Sequence, residues 1–418
     1  MDNMATPAPM DSRFVSLDVV RGIAVMGILL MNIIAFSMPS AAYFTPLAYG
    51  GDSPVDMAVW ATNFVISDGK MRGLFSVLFG ASMLLVIQRA EAKEASVALT
   101  HYSRMTWLLF FGVIHAYAVW HGDILMLYAV IGCIAFFFRN METHKLVVLG
   151  LILIAVQAIF LLLVAGSIWM LREAAMAPDA DAPLVRDWAE FQREFGPLPA
   201  DKLAEDLARY RGDYAGILAH RLGEGFWDPI VANLTAALDT LGLMLLGMAG
   251  FKSGFLTGKW ERARYARYAR IGYAIGLPLL TLIALATIAN DFDPVTIFTL
   301  DFAARVAVNP AVILAHAALI LYWLKGAAGS ALVTRIAATG RAAFTNYLGT
   351  SLICTTLFYG YGFGLYGELS RAEVYIVVLG VWALMLLWSK PWLDRFRYGP
   401  LEWLWRSLAR RELQPIRK

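Results

Sequence analysis

The stretch that decides the fold is Ser16 to Phe36, SLDVVRGIAVMGILLMNIIAF. A helix needs ~20 mostly apolar residues to cross a bilayer, and this run is that long. It also carries groups that a plain anchor would not need. Asp18 and Arg21 open it, three apart and so on one helical face. Asn32 follows several turns later, at a depth where a carboxamide must find a partner. Ionisable and polar groups in a span are costly, so they face the interior of a bundle. Asp18 and Arg21 read either as a surface ion pair or as a ligand-binding pair. Asn32 reads either as interhelical glue or as a working group.

Outward from this run the chain keeps the same character. Its 418 residues are 59% hydrophobic and only 16% charged. With a mean hydropathy of +0.60 this excludes an ordinary soluble domain and predicts an all-α, polytopic membrane helical bundle. The net charge of +3 hides a strong asymmetry between loops. Cys133 and Cys354 both lie in apolar runs and read as packing residues, not a disulfide framework. No basic cluster precedes the first apolar run and no small-residue cleavage site follows it, so it reads as a retained span.

Ten spans are expected, at roughly 16–37, 70–90, 103–120, 122–139, 145–171, 229–251, 268–290, 303–325, 339–360 and 372–390. Each even-numbered span exits to a basic segment, such as Lys252, Lys259, Arg262, Arg264, Arg267 and Arg270 after the sixth. The positive-inside rule then places those segments, and both termini, in the cytoplasm. This divides the chain into a five-span half (1–171), an outer insert (172–228), a second five-span half (229–390) and a tail (391–418). Between the first two spans, Pro54 opens an apolar run to Ile66 that is too short to cross and reads as a re-entrant or interfacial half-helix. The insert holds seven Lys/Arg and twelve Asp/Glu, and its apolar residues recur at helical spacing, predicting a helical hairpin. It serves as a spacer, a dimer contact or a lid. The tail interleaves Trp392, Trp403 and Trp405 with arginines, as an interfacial helix does.

Several groups point to chemistry. Lys70 and Arg72 stand at a helix N-terminus, which already attracts anions, though both also suit lipid headgroups. The densest constellation is FFGVIHAYAVWHGDIL, which places His115 near mid-membrane and His121 and Asp123 at the following turn. A histidine moves protons near neutral pH and a nearby carboxylate orients it, so His115, His121 and Asp123 are candidates for general base work. The set has too few ligands for zinc. Asn309-Pro310 is expected to break the eighth span beside His316. Arg341 and Asn346, a turn apart, are candidates to bracket a headgroup. Asp18, Arg21 and Arg341 together would suit a donor's phosphates if spans one and nine are neighbours.

Four motifs, GKMRGLFSVLFGAS from Gly69, His115 with GDIL at 122–125, GRAAFTNYL from Gly340 and YGPLEWLWR from Tyr398, resemble the bacterial inner-membrane family typified by YeiB. The resemblance runs nearly the whole chain. The opening Leu17-Asp18-x-x-Arg21-Gly22 with a later polar residue also resembles the first span of the transmembrane acyltransferase superfamily, where the glucosaminide acetyltransferases have Asn at the position of Asn32. That kinship implies an inner-membrane location, an acyl-CoA donor, acetyl-CoA above all, and a small-molecule or lipid-linked acceptor. Asp18, Arg21 and Arg341 would then serve the donor, His115 with Asn32 the proton transfer, and Asp123, Lys70 and Arg72 the acceptor. One departure stands out: the acetyltransferases keep a His in the loop after the first span, and here that loop has Tyr43 and Tyr49 instead. A transporter of a small solute or lipid-linked metabolite is the rival expectation. The bilayer is the expected partner and nucleic acid is not. Homodimerisation is left open.

Overall fold

The run that opens the sequence argument forms one helix, α1 (Val15–Ser37), in the computed structural model, which describes residues 14–51, 53–195 and 199–418. The most apolar window of α1 is 72% buried, against 28% in each of Thr143–Ala175, Arg262–Ala289 and Val374–Arg395. The first helix is therefore the axis of the bundle, and those three present apolar faces outward, as a lipid-facing shell does.

The first half continues with α2 (Pro54–Ile66), α3 (Lys70–Glu91), α4 (Val97–Ile114), α5 (Leu125–Ala135) and α6 (Thr143–Ala175). The insert folds as α7 (Ala182–Phe195), α8 (Ala200–Tyr210) and α9 (Tyr214–Leu222). The second half holds α10 (Asp228–Thr235), α11 (Ala237–Lys252), α12 (Arg262–Ala289), α13 (Arg305–Ala327), α14 (Ala331–Arg341), α15 (Ala343–Phe358), α16 (Val374–Arg395) and α17 (Pro400–Arg410). Among the described residues there is no strand beyond an isolated bridge between Phe396 and Arg417.

Six of these segments are long and apolar enough to cross a membrane, and a seventh joins them if the bent pair α10–α11 is one span. The chain is a multi-pass helical membrane protein. The expected count of ten is not reached: the other stretches expected to cross are shorter or interrupted helices. α4 runs on into a π-helical turn (His115–Val119), α5 into a 3₁₀ turn (Phe136–Phe138), and α14 and α15 divide at Ala342.

Glycines set the tightest contacts. α1 packs on α14 where a Cβ at Gly22 would collide with the Ile336 carbonyl and one at Gly340 with the Asp18 carbonyl. Spans one and nine are thus neighbours at the Asp18 end. α11 lies against α3 in the same way, through Gly80 on Met244 and Gly247 on Val77. Small residues let backbones approach where lipid offers no hydrophobic drive between helices.

Two local expectations are corrected. Asn309-Pro310 does not break its helix: α13 runs through it, and the irregular turn is the preceding π-helical stretch Ile297–Ala304. The insert is three helices where a hairpin was expected. Arg211 and Gly212 end α8, Asp213 caps α9 by accepting the Gly216 N–H at 2.8 Å, and Arg211 Nε donates to the Tyr366 carbonyl at 2.8 Å. The insert is docked, not free. Phe191 and Phe195 pack on Phe298, and Tyr210 stacks on Tyr366 at 4.8 Å.

Candidate active site

His115 starts the π-helical turn at the end of α4, and Asp123 lies in the non-helical turn before α5. The π turn leaves carbonyls without helical partners, a geometry that concentrates at functional sites. The insert satisfies them: Tyr214 Oη donates to the Ala118 carbonyl at 2.8 Å and Arg221 Nη1 to that of Val119 at 2.9 Å. Asp123 is held by its own helix, because Oδ2 accepts the Met126 N–H of α5 at 2.7 Å. A carboxylate suits that end of a helix.

Its other oxygen faces His115. Nδ1 of His115 lies 2.7 Å from Asp123 Oδ1, and Nε2 lies 2.9 Å from the hydroxyl of Ser351 on α15. All three are buried, His115 and Ser351 at 1% exposure each and Asp123 at 6%. A carboxylate on Nδ1 fixes the tautomer that leaves Nε2 free to accept the serine proton, the arrangement by which a histidine activates a hydroxyl. Tyr347, one turn before Ser351, braces the group. Its hydroxyl receives the Ile124 N–H at 3.3 Å, and its ring lies 5.2 Å from the imidazole.

Ser351 also borders a small cavity between α1 and α15, lined by Val25, Ile28, Leu29, Asn32, Phe36, Tyr347, Thr350 and Ser351. Asn32 therefore shares a space with the serine, so that its carboxamide can contact a group held there. Sequence reasoning passed over Ser351. The available signal was the small and polar run Gly349-Thr350-Ser351 in the middle of the expected ninth span.

The other candidates lie elsewhere. His121 is outside the hydrogen-bonded chain, its ring 5.7 Å from Trp120 and 6.5 Å from Tyr210. Burial first, then the charges of Arg221, His220 and His115, push its imidazole down to about 3. Lys70 and Arg72 belong to a second buried network. Lys70 donates to the Phe64 carbonyl, while Arg72 pairs with Asp239 at 2.7 Å and with Thr240 at 2.9 Å. Beside them Asp68 pairs with Arg305 and accepts from Tyr43 at 2.8 Å, and Asp301 accepts from Thr287 at 2.7 Å. A second small cavity there is lined by Gly69, Asp239 and Asn309 among others. Tyr49 donates to the Gly367 carbonyl at 2.6 Å. His316 bridges Tyr273 at 2.7 Å and the Ile66 carbonyl at 2.8 Å.

Asp18 and Arg21 pair at 3.3 Å, and Arg21 also donates to Ser82 at 2.6 Å. Arg341 donates to the Arg397 carbonyl at 3.4 Å, near the same end of the bundle. Asn346 does not join it. Its amide donates to the Thr339 carbonyl at 3.1 Å and to Ser389 at 3.2 Å, and its oxygen accepts from Trp388 at 2.9 Å, which uses its capacity inside the helix packing. Among the described residues no three His, Cys, Asp or Glu side chains converge as a metal would need.

Comparison with known proteins gives a family model over the C-terminal part of the chain and relatives over nearly all of it. A family model described as "Protein of unknown function (DUF418)" matches residues 250–412. The chain is 33% identical over 408 residues to "Uncharacterized protein YeiB" of Escherichia coli (strain K12), covering 96% of this chain and 98% of that one. It is 30% identical over 429 residues to "Uncharacterized protein YxaH" of Bacillus subtilis (strain 168), covering 99% and 98%. No solved structure matches.

Proposed function

The chain belongs to the family of YeiB and YxaH, and from that premise we propose that it is a membrane acyltransferase working through Ser351, His115 and Asp123. The observation that carries the reading is the bridging of one buried imidazole between a carboxylate and a serine hydroxyl, beside a cavity that also holds Asn32. In the first half-reaction Ser351 Oγ attacks the thioester carbon of an acyl-CoA, and His115 takes the hydroxyl proton. The thioester C–S bond breaks, and the proton leaves with the thiol. In the second, an acceptor hydroxyl or amine attacks the serine ester, gives its proton to His115, and the serine recovers that proton as the ester C–O bond breaks. Asp123 holds the imidazole in the working tautomer and stabilises it when charged.

The donor enters from the end that carries Asp18, Arg21 and Arg341, and the acceptor from the insert side. Arg341 ends α14 at the break beside the start of α15, and Ser351 lies eight residues past Ala343 in α15, roughly 12 Å of helical rise. With the positive-inside pattern, this makes the donor side cytoplasmic and the acceptor side external in a bacterial inner membrane. Acetyl- or acyl-CoA should raise the melting temperature of the purified protein, and Ser351→Ala should keep that shift while losing transfer to any acceptor. Transfer that survives in Ser351→Ala and His115→Ala would overturn the proposal.

A second reading is favoured by a cluster of charges inside the bundle, with Lys70, Asp239 and Asp301 buried, Asp68, Arg72 and Arg305 half-buried, and Asp239 bordering a second small cavity. Intramembrane ionisable groups of that density also serve transport. Solute uptake into proteoliposomes that survives Ser351→Ala but not Asp68→Asn would favour it.

A further inference from the structure

Arg221 is the last but one residue of α9, and only 4% of it is exposed. Of its donors Nη1 alone is bonded, to the Val119 carbonyl, while Nε and Nη2 have no partner. Among the described residues it makes no ion pair. A buried guanidinium without a carboxylate is costly, and proteins keep one where something else supplies the negative charge.

The surroundings repeat the pattern. The guanidinium lies over the Tyr359 ring, 5.9 Å from its centroid, and no hydrogen bond of normal geometry joins them. Tyr359 is fully buried and its hydroxyl has no partner. Trp120, at 2% exposure, has an unpartnered indole N–H, and His121 beside it has an unpartnered Nδ1. Tyr210 links the set, with its ring 6.5 Å from His121 and 5.0 Å from Tyr359. Buried polar groups are nearly always satisfied, so four such residues in one place form a site and not scattered exceptions.

We infer that Arg221, Tyr359, Trp120 and His121 form a binding site for an oxyanion, a carboxylate or a phosphate monoester, under the insert. The chemistry is one-sided. Arg221, Tyr359 and Trp120 all present donors, and the planar guanidinium still has Nε and Nη2 free for two parallel bonds to one anionic group. The position is specific too. Trp120 packs 6.3 Å from His115 on one side and stacks on Phe36, which lines the Ser351 cavity, at 3.9 Å. A ligand anchored on Arg221 would extend toward the serine from the insert side. On the reading proposed above, the acyl acceptor is then an anionic molecule or a lipid with an anionic headgroup, but the site itself does not depend on Ser351 being a nucleophile.

The test uses the full chain in detergent, titrated with inorganic phosphate, glycerol 3-phosphate, acetate and short-chain phosphatidate, with chloride at matched ionic strength as control. At least one oxyanion raises the melting temperature in wild type and in Ser351→Ala. In Arg221→Gln the apparent affinity falls ~10-fold or more, as expected when one partner of a buried charge pair is removed. Tyr359→Phe, which deletes only the hydroxyl, weakens binding as well and serves if Arg221→Gln does not fold. The free anions against phosphatidate separate a soluble ligand from a lipid headgroup. No shift with any oxyanion, or shifts equal in wild type, Arg221→Gln and Tyr359→Phe, overturns the inference. Loss of acyl transfer with retained oxyanion binding in Ser351→Ala would leave this site standing whatever becomes of the serine's role.

Discussion

At the scale of single residues the chemistry rests on Asp123, because it does two jobs with two oxygens. One caps α5 through the Met126 N–H and the other holds His115. Asp123→Asn keeps an oxygen for the cap but not the charge that supports a protonated imidazole. It should lower acyl transfer by ~10²–10⁴-fold while changing stability little. Asp123→Ala should lose the same activity and ~1 kcal/mol of stability, read by denaturation in detergent. His121 offers a separate test. Its ordinary pKa of 6.5 applies unfolded and about 3 applies folded, so the unfolded chain takes the proton first as pH falls. The stability that His121 contributes is present above pH 6.5 and lost as pH falls toward 3. Its share should be roughly 1 kcal/mol per pH unit across that window. Between pH 6.5 and 5, in a buffer without oxyanions, the wild-type melting temperature should fall more steeply than that of His121→Asn. Parallel curves would contradict the burial assigned to this ring.

At the scale of elements, the position of Ser351 depends on how the start of its helix is held. Glu402 on α17 accepts the Phe344 N–H at 2.7 Å, the Thr345 N–H at 3.1 Å and the Thr345 hydroxyl at 2.6 Å, so the tail caps the start of α15. Glu402→Ala should cost ~0.5–2 kcal/mol and lower activity without touching the reacting atoms, a loss that Glu402→Gln largely restores. The neighbouring helix α14 depends on close approach. Gly340→Ala forces a methyl into the Asp18 carbonyl and should cost ~1–3 kcal/mol, whereas a Cβ at Gly349 meets nothing within 4 Å and Gly349→Ala should be nearly neutral. Melting curves of the two variants side by side decide this. Much at this scale was readable in advance. Apolar run length predicted the all-α helical bundle, and His115 and Asp123 stood out because polar residues in apolar surroundings need a reason. Ser351 did not stand out, since a serine is tolerated in a span by bonding back to its own helix. What distinguishes it is a contact 236 positions away in sequence, which no local pattern records. The insert's third helix was missed for a similar reason: Gly212-Asp213 is a weak break until Arg211 is tied to Tyr366.

At the scale of the whole molecule, two inner helices, α1 and α11, organise two separate polar regions. α1 brings Asn32 to the Ser351 cavity, and α11 brings Asp239 to Arg72 and the second network. Sequence placed Lys70 and Arg72 with Asp123 because all three fall near one end of their spans. The fold separates them, since adjacency across a bundle is set by helix packing and not by depth alone. The insert packs on the end of the bundle beside His115, so α8 and α9 border the site on one side and α1 on the other. The account as a whole turns on whether Ser351 carries the acyl group. The direct measurement is peptide mass mapping of the purified protein after brief exposure to acyl-CoA and an acid quench. The account predicts one acyl adduct, located on Ser351 and absent from His115→Ala. An adduct on another residue, or transfer to an acceptor with Ser351 never modified, would contradict it.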